Sequence, residues 1–132
     1  MNAWTDEELR KIGQAEEVAI ASVGRDGKLG RPVTTWIVRA GDDLYVRSVR
    51  GRGGKWFRGV QERHEGQIRA GGVQRDVTFV DRNDEIGERI DAAYREKYGR
   101  YAGPILNSVL TPPARAATLK LVPRQPRSHT PG

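Results

Sequence analysis

Apolar and polar positions alternate with a period of two through several short stretches, the spacing of strands with one buried face. Residues 31–39 (RPVTTWIVR) are the clearest case, with Val33, Thr35 and Ile37 on one face and Thr34, Trp36 and Val38 on the other. Pro32 sits near the start, where a strand tolerates a missing N–H. Residues 17–23 (EVAIASV) and 44–49 (LYVRSV) read as two more strands, separated from the first by turns at Asp26-Gly27 and Gly41-Asp42-Asp43. Residues 66–70 and 73–80 predict a hairpin on the two-residue turn Gly71-Gly72. Residues 118–122 (TLKLV) form a last strand.

Helical spacing appears between these runs. Thr5 with Glu8 three residues later makes a capping box, acids fill the first turn, and Gly13 marks the end of a short first helix. Gly51, Gly53 and Gly54 interrupt regular structure before residues 55–63, a second helix that turns Trp56, Phe57 and Val60 inward. Ile86, Ile90, Ala93 and Tyr94 mark one face of a third helix over residues 84–98. Pro104 opens another short helix over residues 105–110. Residues 125–132 carry prolines and no apolar period, so a flexible tail is expected after a domain of residues 1–124. Strands in sequence with one longer crossing helix indicate a mainly β fold with helices, a small antiparallel barrel; an open α+β sheet is the alternative. Ile20, Ile37, Leu44, Val46, Val77, Phe79 and Leu121 are the expected core.

Composition narrows the chemistry. The chain has 132 residues, no cysteine and two histidines, His64 and His129. Thiolate metal sites and cysteine nucleophiles are excluded, and no metal is expected. A cysteine-free chain without a long apolar run suits the cytoplasm and no membrane. The net charge of +6 is unevenly spread: residues 44–58 hold Arg47, Arg50, Arg52, Lys55 and Arg58 and no acid. Residues 112–132 hold four further cations, again without an acid. A local cationic window points to an anionic partner; the alternative is a solvated face.

Arg47, Ser48, Arg50, Arg52 and Lys55 combine guanidinium, hydroxyl and ammonium donors at a strand end, where glycines let the backbone approach a ligand. If Lys55 opens a helix, unpaired backbone N–H groups join the same field. This is the chemistry of a phosphate site, although the spacing is not that of a P-loop. Thr34 and Thr35 offer hydroxyls, and Trp36 and Trp56 offer rings for stacking, set against β propensity and core packing. Tyr94, Tyr98 and Tyr101 read first as packing, and His64 as a solvent-facing loop residue. No nucleophile–base pair stands out, so no catalytic residue is assigned.

WTDEELRKIG, GRPVTTWIVRAGDDLYVRSVRGRGGKWFRG, IRAGGVQRDVTFV and AAYREKYGRYAGPILNSVLTP together resemble the bacterial family known as domain of unknown function 2255. More distantly, the middle of the chain is similar to the flavin-binding split β-barrel proteins, among them pyridoxamine-phosphate oxidases and deazaflavin-dependent nitroreductases. That resemblance implies an FMN-binding-like split barrel and a homodimer with its site between subunits. It also implies FMN or a deazaflavin as cofactor and oxidoreductase chemistry on an unknown substrate. Arg47, Ser48, Arg50, Arg52 and Lys55 are then the phosphate candidates, and the backbone around Thr34–Trp36 faces the ring system. The chain departs from the oxidase pattern in spreading its Ser, Arg and Lys across glycines. Two other readings use the same residues: a nucleic-acid-binding barrel, and a cofactor-free dimeric module for an anionic metabolite.

Overall fold

A computed structural model describes residues 4–24, 26–82, 87–101 and 103–124. Helix α1 (Asp6–Gln14) opens with the expected capping box, Thr5 Oγ1 accepting from the Glu8 N–H at 3.1 Å and Glu8 accepting from the Thr5 N–H at 3.0 Å. It passes through Gly13 and buries Leu9 and Ile12. Seven strands follow: β1 (Val18–Ser22), β2 (Val33–Thr35), β3 (Val38–Ala40), β4 (Asp43–Arg47), β5 (Glu65–Ala70), β6 (Val73–Arg82) and β7 (Thr118–Pro123). They form one antiparallel sheet in the order β2-β1-β5-β6-β7-β4-β3. The β5–β6 hairpin turns on Gly71 and Gly72, both at positive φ, as a two-residue turn matching the strand twist requires.

Residues 31–39 are not one strand. β2 and β3 lie at opposite edges of the sheet, joined only by Trp36 and Ile37. Three residue steps cover at most roughly 11 Å, so the two edges must stand close and the sheet curls into a barrel with a split. The break has a local cause. The Ile37 N–H donates to the Tyr98 hydroxyl at 3.2 Å, and the Ile37 carbonyl accepts from Lys97 Nζ at 2.7 Å. Trp36 lies flat on the Tyr98 ring, centroids 3.9 Å apart. Helix side chains therefore satisfy the peptide groups that a continuing strand would pair.

Helix α2 (Lys55–Arg63) has the expected bounds, and helix α3 (Gly87–Tyr98) ends where expected; positions 84–86 of the predicted helix lie outside the described residues. Two short helices, α4 (Pro104–Asn107) and α5 (Pro112–Ala116), lead into β7. α5 was not foreseen; Thr111 caps it by accepting from the Ala114 N–H. The predicted tail, residues 125–132, lies outside the described residues.

Apolar packing occurs on both faces of β4. Leu44 and Val46 join the barrel interior with Ile20, Ile37, Val77, Phe79 and Leu121, all at most 2% exposed. Tyr45 packs with Val38, Ile90, Tyr94 and Tyr98 beneath α3. β4 thus ends between two cores, and its last residues divide between them.

Candidate functional site

A pocket of about 560 Å³ opens where β4 ends and α2 begins. Ile20 and Val33, register partners across β1 and β2, supply apolar wall, and Ser22 lies one strand period beyond Ile20. Trp56, Gly59 and Val60, on one face of α2, cover them. Gly59 permits this approach, since a Cβ there would stand 3.3 Å from Ser22 Oγ. Val49, Arg50, Gly54 and Lys55 complete one side, and Gly30 and Arg31 another.

Strand periodicity decides which loop residues face the pocket. Ser48 continues the inward set of Leu44 and Val46, whereas Arg47 points with Tyr45 toward α3. Arg47 is 1% exposed and donates to Asp91 Oδ1 at 2.6 Å, Val109 O at 2.8 Å, Thr118 Oγ1 at 3.0 Å and Gly87 O at 3.2 Å. Arg115 pairs with the other Asp91 oxygen at 3.4 Å. Arg52 also turns away. It grips Asp81 with two parallel bonds of 2.9 and 2.7 Å and the Ala116 carbonyl at 3.0 Å. That bidentate bond, foremost, holds the Asp81 carboxyl below its usual range. The expected convergence of Arg47, Ser48, Arg50, Arg52 and Lys55 is therefore partial: Ser48, Arg50 and Lys55 line the pocket, and Arg47 and Arg52 brace its loop from behind.

Ser48 is present with its proton committed. It is buried, and Oγ donates to the Gly51 carbonyl at 2.9 Å, closing the turn that the Gly51 N–H also makes to Ser48 O. The hydroxyl has one proton, so Ser48 shapes the loop and is not poised as a donor to a ligand. Gly54 packs so close to it that a Cβ there would fall 2.7 Å from Ser48 Oγ. Gly54 caps α2 without any side-chain bond, and the first intrahelical donor is the Arg58 N–H, to Gly54 O at 3.0 Å. The N–H groups of Lys55, Trp56 and Phe57 therefore face the helix start with no intrahelical acceptor.

Arg31, missed by sequence reasoning, is the third cation of the lining. Its position just ahead of β2 was visible, but its approach to the basic loop depends on the barrel closing. Arg31, Arg50 and Lys55 are exposed and make no ion pair with the described residues, and the lining contains no carboxylate. Of the aromatic and hydroxyl candidates, Trp56 lines the pocket. Trp36 is stacked on Tyr98, Thr34 is exposed and Thr35 half-buried on the edge strand β2, and none of these three lines it. His64 is half-buried and holds the left-handed position that ends α2. Among the described residues no group of three His, Asp or Glu side chains could hold a metal ion.

The bacterial family described as "Uncharacterized protein conserved in bacteria (DUF2255)" matches residues 8–121. The chain belongs to this family. Comparison with curated proteins returns no significant match. Solved structures that match include HutZ, the heme storage protein from Vibrio cholerae, at 15% identity and a TM-score of 0.64, covering 95% of this chain and 92% of that one. An F420-H2-dependent reductase, FDR-A, matches at 20% identity and 0.58, covering 81% and 93%. An FAD-binding protein from Mesorhizobium loti matches at 16% identity and 0.56, covering 93% and 92%. At these identities the likeness establishes the fold, an FMN-binding-type split barrel, which this DUF2255 chain shares across nearly its whole length. Among the described residues no helix is long and apolar enough to cross a membrane.

Proposed function

We propose that the chain binds a phosphorylated flavin-type cofactor, FMN or a deazaflavin, in the pocket between β1, β2 and α2, and serves as an oxidoreductase-like homodimer. The observation that carries this is the lining: cations with no ion-pair partner among the described residues and no carboxylate beside them, set against an apolar wall in a cavity of small-ligand size. Such a donor set fits a phosphate joined to a flat apolar ring. Arg50 and Lys55 hold the phosphate together with the unpaired N–H groups at the start of α2, and Arg50 can offer two parallel bonds to it. Ile20, Val33 and Trp56 give the ring an apolar bed, and α2 keeps water from that face. The cofactor, when bound, supplies hydride chemistry; the chain's residues bind, orient and desolvate it. The named activities of structures sharing this fold support the reading, and the same loop's remaining arginines are spent on holding its shape.

The test is a visible absorbance spectrum of the purified protein, followed by titration with FMN. A saturable change at one flavin per chain is expected. Failure of both FMN and a deazaflavin to bind would overturn it.

A further inference from the structure

We infer that the pocket takes a carboxylate as well as a phosphate, with Arg31 as the residue that receives it. The inference rests on the phosphate reading above and extends it to a second ligand group. A phosphate monoester carries about −1.5 to −2 charges at neutral pH. Arg31, Arg50 and Lys55 supply three positive charges to one cavity, and no lining residue offsets them. One phosphate therefore leaves about one cation of the lining without a matching charge, free to receive a second anion.

Placement separates that cation from the other two. Arg50 and Lys55 sit on the β4–α2 loop and the first turn of α2, around Gly54. Arg31 sits on the wall built by β1 and β2, two residues ahead of Val33 and next to Gly30, whose N–H is tied to Ser22 O at 2.8 Å. Ile20 and Val33 lie on Arg31's wall, and Val60 and Trp56 on the helix facing it. A small molecule ending in a carboxylate matches this arrangement: its body lies beside the ring bed, at the Arg31 end of the wall, and the planar guanidinium takes both carboxylate oxygens. Arg31 is exposed and has no described partner, so its guanidinium is available for that role.

The experiment uses the full chain with arginine Nε–Hε signals followed by NMR, titrated with inorganic phosphate and with benzoate. Phosphate is expected to shift the Arg50 signal and benzoate the Arg31 signal. Saturating phosphate should leave the benzoate affinity within about threefold, because the two anions bind together. Arg31→Gln should weaken benzoate about tenfold or more while phosphate binding stays unchanged, the loss expected for a charge-assisted bond. The inference is overturned if benzoate displaces phosphate from Arg50, if Arg31 responds to neither anion, or if R31Q binds benzoate as well as before. The outcome for FMN is separate. Two-anion binding with neither FMN nor a deazaflavin bound would sink the flavin reading alone, and cofactor binding with a silent Arg31 would sink the carboxylate site alone.

Discussion

Arg50 and Ser48 stand two residues apart and do different work. Arg50 is exposed in the pocket and contributes nothing visible to packing, so Arg50→Ala should leave the urea unfolding midpoint nearly unchanged. It should weaken FMN binding by about 1.5–3 kcal/mol, the range for hydrogen bonds to charged groups. Ser48 is buried and closes the turn to Gly51, so Ser48→Ala should lower folding stability by about 1 kcal/mol. Calorimetric titration and urea denaturation on the two variants check the division; Arg50→Ala destabilising while Ser48→Ala spares stability would reverse it. Arg47 belongs with Ser48. Its removal leaves the buried Asp91 with the half-exposed Arg115 as its remaining ion-pair partner, and Arg47→Ala should cost about 3 kcal/mol in the same denaturation experiment. The alternation that turns Arg47 away was legible in LYVRSV, because residues 45 and 47 share a face. The cluster's chemistry hid it, since an arginine in a basic window looks like a ligand residue.

Among the elements, α3 is what splits the barrel. Tyr98 accepts from the Ile37 N–H, and its own proton goes to the Glu16 carbonyl at 2.8 Å or the Ile37 carbonyl at 3.1 Å. Tyr98→Phe strands a buried N–H and should cost about 1–3 kcal/mol. Lys97 braces the same peptide. Burial, foremost, lowers its pKa from 10.5 to about 8, with Glu16 opposing and Arg100 adding to the shift. Below about pH 8 both folded and unfolded chains carry the proton, and the penalty of burying the charge is present in full. Between that pH and the unfolded value the folded chain binds fewer protons, so stability contributed by this group rises with pH. Urea midpoints at about pH 7.5 and about pH 9.5 should show that rise in the wild type and a flatter response in Lys97→Met. A fall with pH that Lys97→Met abolishes would contradict it. The break at Trp36 and Ile37 was not legible because it is imposed by residues about sixty positions away. The Gly71-Gly72 hairpin and the Thr5 cap were legible because their causes lie within four residues.

For the whole molecule, the antiparallel strands and the core followed from patterning, which left barrel and open sheet both standing; the split barrel came from the family resemblance, and the meeting of Arg31 with the basic loop needed the closed sheet. Leu29 and Val49, at 46% and 49% exposure, are the large exposed apolar residues of the described chain, and Val49 sits on the pocket. Their burial against a second copy accords with the proposed homodimer, whose interface would include part of the 31–49 segment. Sedimentation at micromolar concentration should report a dimer, and Val49→Asp should shift it toward monomer; a wild-type monomer would end that proposal. The central claim is that Arg50 and Lys55 hold a cofactor phosphate, and paired calorimetric titrations with FMN and with riboflavin isolate that group. FMN should bind about tenfold or more tightly than riboflavin, and Arg50→Ala should erase most of the difference. Equal affinities for FMN and riboflavin, or a preference that survives Arg50→Ala and Lys55→Ala together, would contradict it.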